Sequence, residues 1–191
     1  AVKSVGEVVI QAITDERNAN GKFKDFADFL IRMNGKGVNR KSIEALAGAG
    51  VFDSFDGMHR AMFYHIAEGD KATFVEKSIK SVSAYLDRKN NAQFDLFADS
   101  EGGEEETFTI PLPECERWSK LKELEMEREL VGFYMSSHPL DMFRDTIKYF
   151  ANIKLENVKN AIEMSRPDTT FVMAGLVTSA ERFTSKTGSE Y

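Results

Sequence analysis

The sequence predicts a mainly α-helical protein whose last part is a short β segment. Apolar residues recur three and four positions apart along most of the chain, which is the spacing of one helix face. Turns marked by glycine separate these helical stretches. The residues that follow Pro167 are instead rich in β-branched side chains, which favour strands. We therefore expect several short helices followed by one or two strands.

The composition is that of a folded chain with a moderate negative charge. The 191 residues carry 25 basic and 31 acidic side chains, which give a net charge of −6, and 42% of them are apolar. That charge argues against a small, strongly basic nucleic-acid binder. The apolar stretches are too short to cross a bilayer, so we expect no membrane partner. A single cysteine, Cys115, excludes an internal disulfide and a cysteine-based zinc site, and it favours a cytoplasmic location. Because the chain begins at Ala1 without methionine, we expect it to be a piece of a longer protein.

The first predicted unit covers residues 1–56 and contains three helices. Their apolar faces are Val9, Ile10 and Ile13 in the first, Phe26, Phe29, Leu30 and Met33 in the second, and Ile43, Leu46, Ala47 and Val51 in the third. The glycine-rich stop signal at residues 48–50 ends the third helix. Residues 57–92 are predicted to form a helical extension, in which Val75, Ile79, Val82 and Leu86 make one apolar stripe.

Residues 93–113 are predicted to contain a solvated linker. Its acidic side chains surround two glycines, and they are Asp99, Glu101, Glu104, Glu105 and Glu106. A stretch of this composition buries too little apolar surface to form a core of its own.

Residues 114–167 are predicted to be helical again, and residues 168–191 to be the β segment. Leu121, Leu124, Val131 and Met135 share one helix face. Ser137, Pro139 and Asp141 have the cap, early proline and first-turn acid of a new helix, and a further short helix is expected over 155–164. Residues 169–178 predict a strand, and 186–189 a hairpin turn. Two strands alone are marginal in water, so they either pack on the helices or belong to a larger β domain.

Two glycine turns that lead into helices are candidate phosphate-binding sites. Glycine permits a sharp turn, and the first amides of a helix lack internal partners and attract anions. In the second turn we expect Asn39 to cap the helix, beside three clustered cations. The candidate DNA-binding residues are Val5, Gly6, Gly35, Lys36, Gly37, Asn39, Arg40 and Lys41. The repeated order of helix, glycine turn and helix resembles a tandem helix-hairpin-helix module, although a glycine between helices is also found as a simple tight connection.

A second candidate site is a five-residue motif, Gln93, Phe94, Asp95, Leu96 and Phe97. Adjacent large apolar side chains in a polar stretch leave apolar area in water unless a partner covers them. The spacing of Gln93, Leu96 and Phe97 resembles the peptide by which bacterial replication proteins bind the sliding clamp. The alternative is a pair of apolar residues at the edge of the core.

The order of these blocks along the chain resembles the alpha subunit of bacterial DNA polymerase III. The blocks are Ser4 to Gly6, Val38 to Leu46, Gly50 to Phe55, Gln93 to Phe97, Trp118, Glu129 to Asp141, and Val172 to Thr178. The resemblance implies that residues 1–56 contact primer-template duplex as a tandem helix-hairpin-helix unit, and that Gln93 to Phe97 bind the sliding clamp. It also implies that residues from about Thr169 begin an OB-type barrel.

The resemblance further implies which properties belong to the parent protein and not to this chain. The parent would be a DNA-directed DNA polymerase that uses Mg, whereas this chain would hold no catalytic residue, metal or cofactor. Other replicase subunits would bind parts of the parent that are not present here. The rival interpretation is a stand-alone helical adaptor without a DNA role. An enzyme in its own right is disfavoured, because the sequence has no metal-ligand cluster, phosphate-binding P-loop or nucleophile–base pair, and His138 is given no catalytic role.

Overall fold

The computed structural model describes residues 2–94, 108–164, 166, 168–177 and 180–184, without the side chains of residues 92–94 and 155. Contacts divide the chain into two compact units, Ala1–Met135 and Ser136–Tyr191. The described part is mainly helical, as the sequence predicts.

The first unit contains five α-helices and one 3-10 helix among its described residues. They are α1 Glu7–Asn20, α2 Phe26–Met33, α3 Arg40–Gly48, the 3-10 helix Arg60–Tyr64, α4 Phe74–Phe94 and α5 Lys120–Val131. The predicted positions of α1 to α3 are confirmed. The stripe predicted on α4 is partly buried, because Val75 and Val82 lie in the core and Ile79 and Leu86 pack against it.

A cluster of phenylalanine rings forms the centre of the first unit. The ring of Phe26 lies 5.0 Å from that of Phe63, 5.5 Å from Phe52 and 5.7 Å from Phe74, measured between centroids. These rings come from α2, the 3-10 helix, α4 and the turn after α3. Edge-to-face and offset ring packing of this kind adds to the stability gained from burial alone. The cluster therefore ties the short helices of the glycine-turn region to α4.

An irregular segment, residues 108–119, returns along this core toward α5. Its Phe108 and Ile110 pack against the core, although the sequence analysis assigned residues up to 113 to the linker. The Phe108 ring stacks on Tyr85 at 4.6 Å, and the Trp118 ring lies 4.9 Å from Tyr64. Apolar burial therefore begins again several residues before the first helical turn of α5.

A buried ion-pair network fixes α5 on the rest of the unit. Arg60 is 5% exposed, and its guanidinium donates hydrogen bonds to the Asp53 carboxylate at 2.6–3.1 Å and to Glu127 Oε1 at 2.9 Å. The other oxygen of Glu127 accepts a hydrogen bond from the backbone N–H of Met135 at 2.8 Å. Burial by itself disfavours the charged form of Arg60, but the hydrogen bonds to Asp53 and Glu127 raise the pKa of Arg60.

A close backbone approach accompanies this network at Gly48, in the last turn of α3. A Cβ atom at Gly48 would lie 2.6 Å from both Leu130 Cδ1 and the Tyr64 hydroxyl. The hydroxyl is itself fixed, because it donates a 2.6 Å hydrogen bond to the Glu44 carbonyl oxygen. Glycine is thus the residue that lets α3 and α5 meet at this distance.

The second unit has short helices and an irregular chain. Its elements are the 3-10 helix Pro139–Phe143, α6 Arg144–Phe150, the 3-10 helix Leu155–Asn157 and α7 Val158–Met164. The predicted helix start is confirmed, but its N-cap is His138 and not Ser137: His138 Nδ1 accepts a hydrogen bond from the Leu140 N–H at 3.2 Å. Asp141 completes this cap by accepting a 2.8 Å hydrogen bond from the His138 N–H.

The predicted strand over residues 169–178 is not formed by the described residues of this unit. Val172 instead exchanges hydrogen bonds with Asn152, from Val172 N to Asn152 Oδ1 at 2.9 Å and from Asn152 N to the Val172 carbonyl at 3.0 Å. β-branched residues favour strands only when a neighbouring strand is available to pair with them. The predicted hairpin turn at 186–189 lies outside the described residues, and the OB-type barrel stays a prediction.

In the described part of the chain, no helix combines the length and apolar character that a membrane span requires.

Candidate nucleic-acid interface

The first predicted turn places Val5 and Gly6 at the start of α1. Gly6 is the N-cap of α1, with extended backbone at φ −69° and ψ 154°, and no side chain caps this helix end. A Cβ atom at Gly6 would meet nothing within 4 Å, so the turn is open on this side. Val5 is half-buried and packs against the core. The exposed Glu7 follows directly, and its carboxylate would oppose an anion at this helix end.

The second turn connects α2 to α3 and contains the other predicted residues. Gly35 and Gly37 have φ values of 73° and 79°, in the left-handed region that favours glycine. Asn39 is the N-cap of α3, as predicted, and forms a reciprocal capping box with Ser42. The Asn39 side chain accepts from the Ser42 N–H at 3.1 Å, and Ser42 Oγ accepts from the Asn39 N–H at 2.9 Å. The side chain of Asn39 is thus occupied in holding the helix start.

The two predicted turns lie near each other in the folded unit. A Cβ atom at Gly37 would lie 4.0 Å from the Cγ2 atom of Val9, in the first turns of α1. The start of α1 and the α2–α3 turn therefore share one region of the surface. This proximity is what a tandem module needs in order to contact neighbouring phosphates of one duplex.

Lys36, in the second turn, is ion-paired with Glu16 of α1. Glu16 also accepts hydrogen bonds from Arg32 Nε at 2.9 Å and from the Asn20 amide at 2.8 Å. Hydrogen bonds from Lys36, then Arg32 and Asn20, lower the pKa of Glu16 to about 2. Glu16 is therefore a carboxylate throughout the physiological pH range, and it neutralises a cation that the sequence analysis assigned to DNA.

Arg40, the first residue of α3, is paired with two carboxylates. Its Nε donates to Glu44 Oε1 at 2.7 Å, and its Nη1 donates to Glu76 Oε1 at 2.8 Å. Hydrogen bonding to Glu44, and then to Glu76, raises the pKa of Arg40. Lys41 is exposed and forms no ion pair with any residue that the structure describes. Of the three predicted cations, Lys41 is the one that is not ion-paired with a described carboxylate.

The predicted clamp-binding motif begins on a helix. Gln93 and Phe94 form the C-terminal end of α4, which extends beyond the predicted stop near Asn90. Asp95, Leu96 and Phe97 lie outside the described residues.

Sequence reasoning missed the carboxylates that surround the predicted cations. Glu16 and Glu76 are distant from Lys36 and Arg40 in sequence, so helical spacing gave no signal for these pairs. The sequence did contain a signal for the buried ion-pair network. Glu127 lies three residues after Leu124 and therefore on the apolar face of α5. A charged residue on an apolar stripe requires a buried partner. No cluster of three or more potential metal ligands occurs among the described residues.

Residues 1–62 match the family described as the helix-hairpin-helix motif. This match and the two glycine turns identify a helix-hairpin-helix region at residues 1–62. The chain is 30% identical to the DNA polymerase III subunit alpha of Treponema pallidum over 98% of the chain and 15% of that protein. It is 33% identical to the same subunit of Vibrio cholerae, over 99% of the chain and 15% of that protein. It is 36% identical to the same subunit of Mycobacterium leprae, over 74% of the chain and 11% of that protein. The chain is homologous to an internal region of bacterial DNA polymerase III alpha subunits, of which it covers a small part.

Proposed function

We propose that the chain is the part of a bacterial replicative DNA polymerase that holds primer-template duplex without sequence preference. The observation that carries this proposal is the similarity of nearly the whole chain to DNA polymerase III alpha subunits, together with the helix-hairpin-helix match. The catalytic carboxylates and their Mg would belong to the rest of the parent polymerase, which would act in the cytoplasm. Backbone amides of the two turns and the cations beside them would bind phosphates, which are identical at every sequence.

The salt dependence of duplex binding measures how many cations of the chain bind phosphates. Each neutralised phosphate contributes about −0.9 to the slope of log affinity against log salt on duplex DNA. Lys41 alone predicts a slope of about −0.9, whereas Lys41, Lys36 and Arg40 together predict about −2.7. The slope therefore reports how many of these cations bind phosphate with a net release of counterions.

Neutralising the three cations is expected to weaken duplex binding by about ten-fold at low salt and to bring the salt slope close to zero. The variant is Lys36→Gln with Arg40→Gln and Lys41→Gln, and the measurement is fluorescence anisotropy of labelled duplexes of two unrelated sequences over a salt series. Lys89→Gln, near the C-terminal end of α4, is the control for loss of a single cation outside the two turns. Equal affinity and slope for the triple variant and the unmodified chain would reject the assignment of the turns to DNA.

Glutamine is the suitable replacement because charge reversal would test a different effect. A glutamate at position 40 would stand beside Glu44 and Glu76, and like charges at this separation destabilise the fold. Neutral substitution removes the attraction to phosphate without adding that repulsion.

We further propose that Gln93 to Phe97 tether the polymerase to the sliding clamp. The support is the motif itself and its position, since it begins where α4 ends and is followed by the acidic stretch. Gln93 would be the polar anchor, and Leu96 and Phe97 would fill an apolar pocket on the clamp. The clamp encircles DNA, so a tethered polymerase that releases the primer rebinds at a high effective concentration.

Truncating Leu96 and Phe97, the two apolar side chains proposed to fill the clamp pocket, should greatly weaken clamp binding. Leu96→Ala with Phe97→Ala removes about 2–5 kcal/mol of apolar contact, which corresponds to a dissociation constant at least about 30-fold higher. The measurement is surface plasmon resonance with the purified clamp of the same bacterium. Met164→Ala with Val177→Ala, two exposed apolar residues elsewhere, is the control and should bind normally. An unchanged affinity for the motif variant would refute the tether.

A further inference from the structure

We infer that Glu76, together with Glu44, competes with DNA phosphate for Arg40, so that the α2–α3 turn binds duplex by exchanging carboxylates for phosphate. This inference rests on the proposed duplex binding, and it adds a residue that sets the strength and salt dependence of that binding. The competing carboxylates are part of the folded chain and lie beside Arg40 in the structure.

The geometry of Arg40 is that of a cation already holding two anions. Glu44 lies one turn further along α3, and Glu76 belongs to α4, 36 residues away in sequence. The side chains of Arg40 and Glu76 are accessible, at 46% and 32% exposed, whereas that of Glu44 is 17% exposed. An accessible guanidinium can therefore exchange one partner for another without unfolding of the unit.

Glu76 is held in place independently of Arg40. Its Oε2 accepts a 2.9 Å hydrogen bond from the Thr73 N–H, and Thr73 Oγ1 accepts a 3.3 Å hydrogen bond from the Glu76 N–H. This reciprocal pair is a capping box at the start of α4. The carboxylate therefore stays beside Arg40 whether or not Arg40 is engaged, and it would face any phosphate that Arg40 binds.

Exchange has a thermodynamic signature that simple attraction lacks. A free cation that binds phosphate releases a counterion from the DNA, which makes affinity fall with salt. When the same cation must first leave a carboxylate, the freed carboxylate attracts a cation from solution and offsets that release. Removing the carboxylate should therefore increase affinity and make the salt slope steeper.

Glu76→Gln is a suitable variant because glutamine also serves at this position of a capping box. It keeps the start of α4 and removes the charge beside Arg40. Glu44→Gln removes the second carboxylate and is tested as a separate variant. Glu125→Gln is the matched control, since Glu125 forms a comparable exposed ion pair with Lys122 on α5 and the change in net charge is the same.

We expect Glu76→Gln to bind duplex about two- to five-fold more tightly at low salt. Its slope of log affinity against log salt should be steeper than that of the unmodified chain by up to about 0.9. Glu44→Gln should act in the same direction, and the Glu125→Gln control should follow the unmodified chain. The measurement is the same anisotropy titration over a salt series, with circular dichroism to check that the helical content is unchanged.

A double-mutant cycle separates exchange at Arg40 from direct repulsion of DNA by Glu76. In the Arg40→Gln background, Glu76→Gln should have no further effect on affinity or slope. An equal gain in that background, or a Glu76→Gln variant that behaves like Glu125→Gln, would overturn the inference. A chain that shows no salt-dependent duplex binding at all would instead reject the proposed function, so the two failures are distinct.

Discussion

Replacing Arg60 with methionine is expected to lower the free energy of unfolding by about 3–5 kcal/mol. The substitution leaves Glu127, which is 1% exposed, as a buried carboxylate without its cation. Water can reach Asp53, whose side chain is 45% exposed, so most of the loss should come from Glu127. Removal of one partner from a buried ion pair is costly because the remaining charge cannot be solvated.

The measurement is urea unfolding followed by the fluorescence of Trp118, the one tryptophan of the sequence. Its ring lies beside Tyr64, so its emission reports on the core that α5 covers. A second variant, Arg60→Met with Glu127→Leu, removes both charges and should recover most of the lost stability. A loss below about 1 kcal/mol in the single variant would mean that the network does not hold the unit together.

Phe26→Ala is the second large expected effect, again a loss of about 3–5 kcal/mol in the free energy of unfolding. Phe26 is 2% exposed and packs against rings from three other parts of the unit. Truncation removes these contacts and leaves a cavity that short helices cannot close completely. We expect the midpoint of urea unfolding to fall, while the dependence of the unfolding free energy on urea concentration changes little.

Phe55→Ala is the matched control for this prediction. Phe55 is partly buried at the edge of the same cluster, where its ring stacks on Phe52 at 5.7 Å. Its truncation should cost clearly less than that of Phe26. Equal losses for the two variants would show that the ring cluster has no distinct centre.

The helices of the first unit could be predicted because their signals are local. Spacings of three and four residues and the cap at Asn39 depend only on neighbouring residues, and the structure confirms them. Glu44 lies at helical spacing from Arg40, but the pairing of Arg40 with Glu76 and of Arg60 with Glu127 could not be predicted, because it arises only through tertiary packing. A chain's charges can be counted from its sequence, but which of them neutralise each other depends on the fold.

The strand predicted over residues 169–178 shows that local composition can also predict an element that the described residues do not form. Val172 lies in a stretch with strong strand composition, yet its backbone bonds to Asn152 and no strand forms among the described residues. Strand formation needs a partner strand, and composition does not say where one would come from. The clamp-binding motif stays a prediction, because it rests on residue spacing alone and Asp95 to Phe97 lie outside the described residues.

Glu127 also determines how short a folded piece of this chain can be. Its carboxylate bonds to Arg60 with one oxygen and to the Met135 N–H with the other, four residues after α5 has ended. A piece trimmed at Val131 would keep every helix of the first unit but lose a hydrogen-bond donor to a buried charge. The boundary for dissecting the protein therefore follows this hydrogen bond and lies at Met135 or beyond, not at the last helical residue.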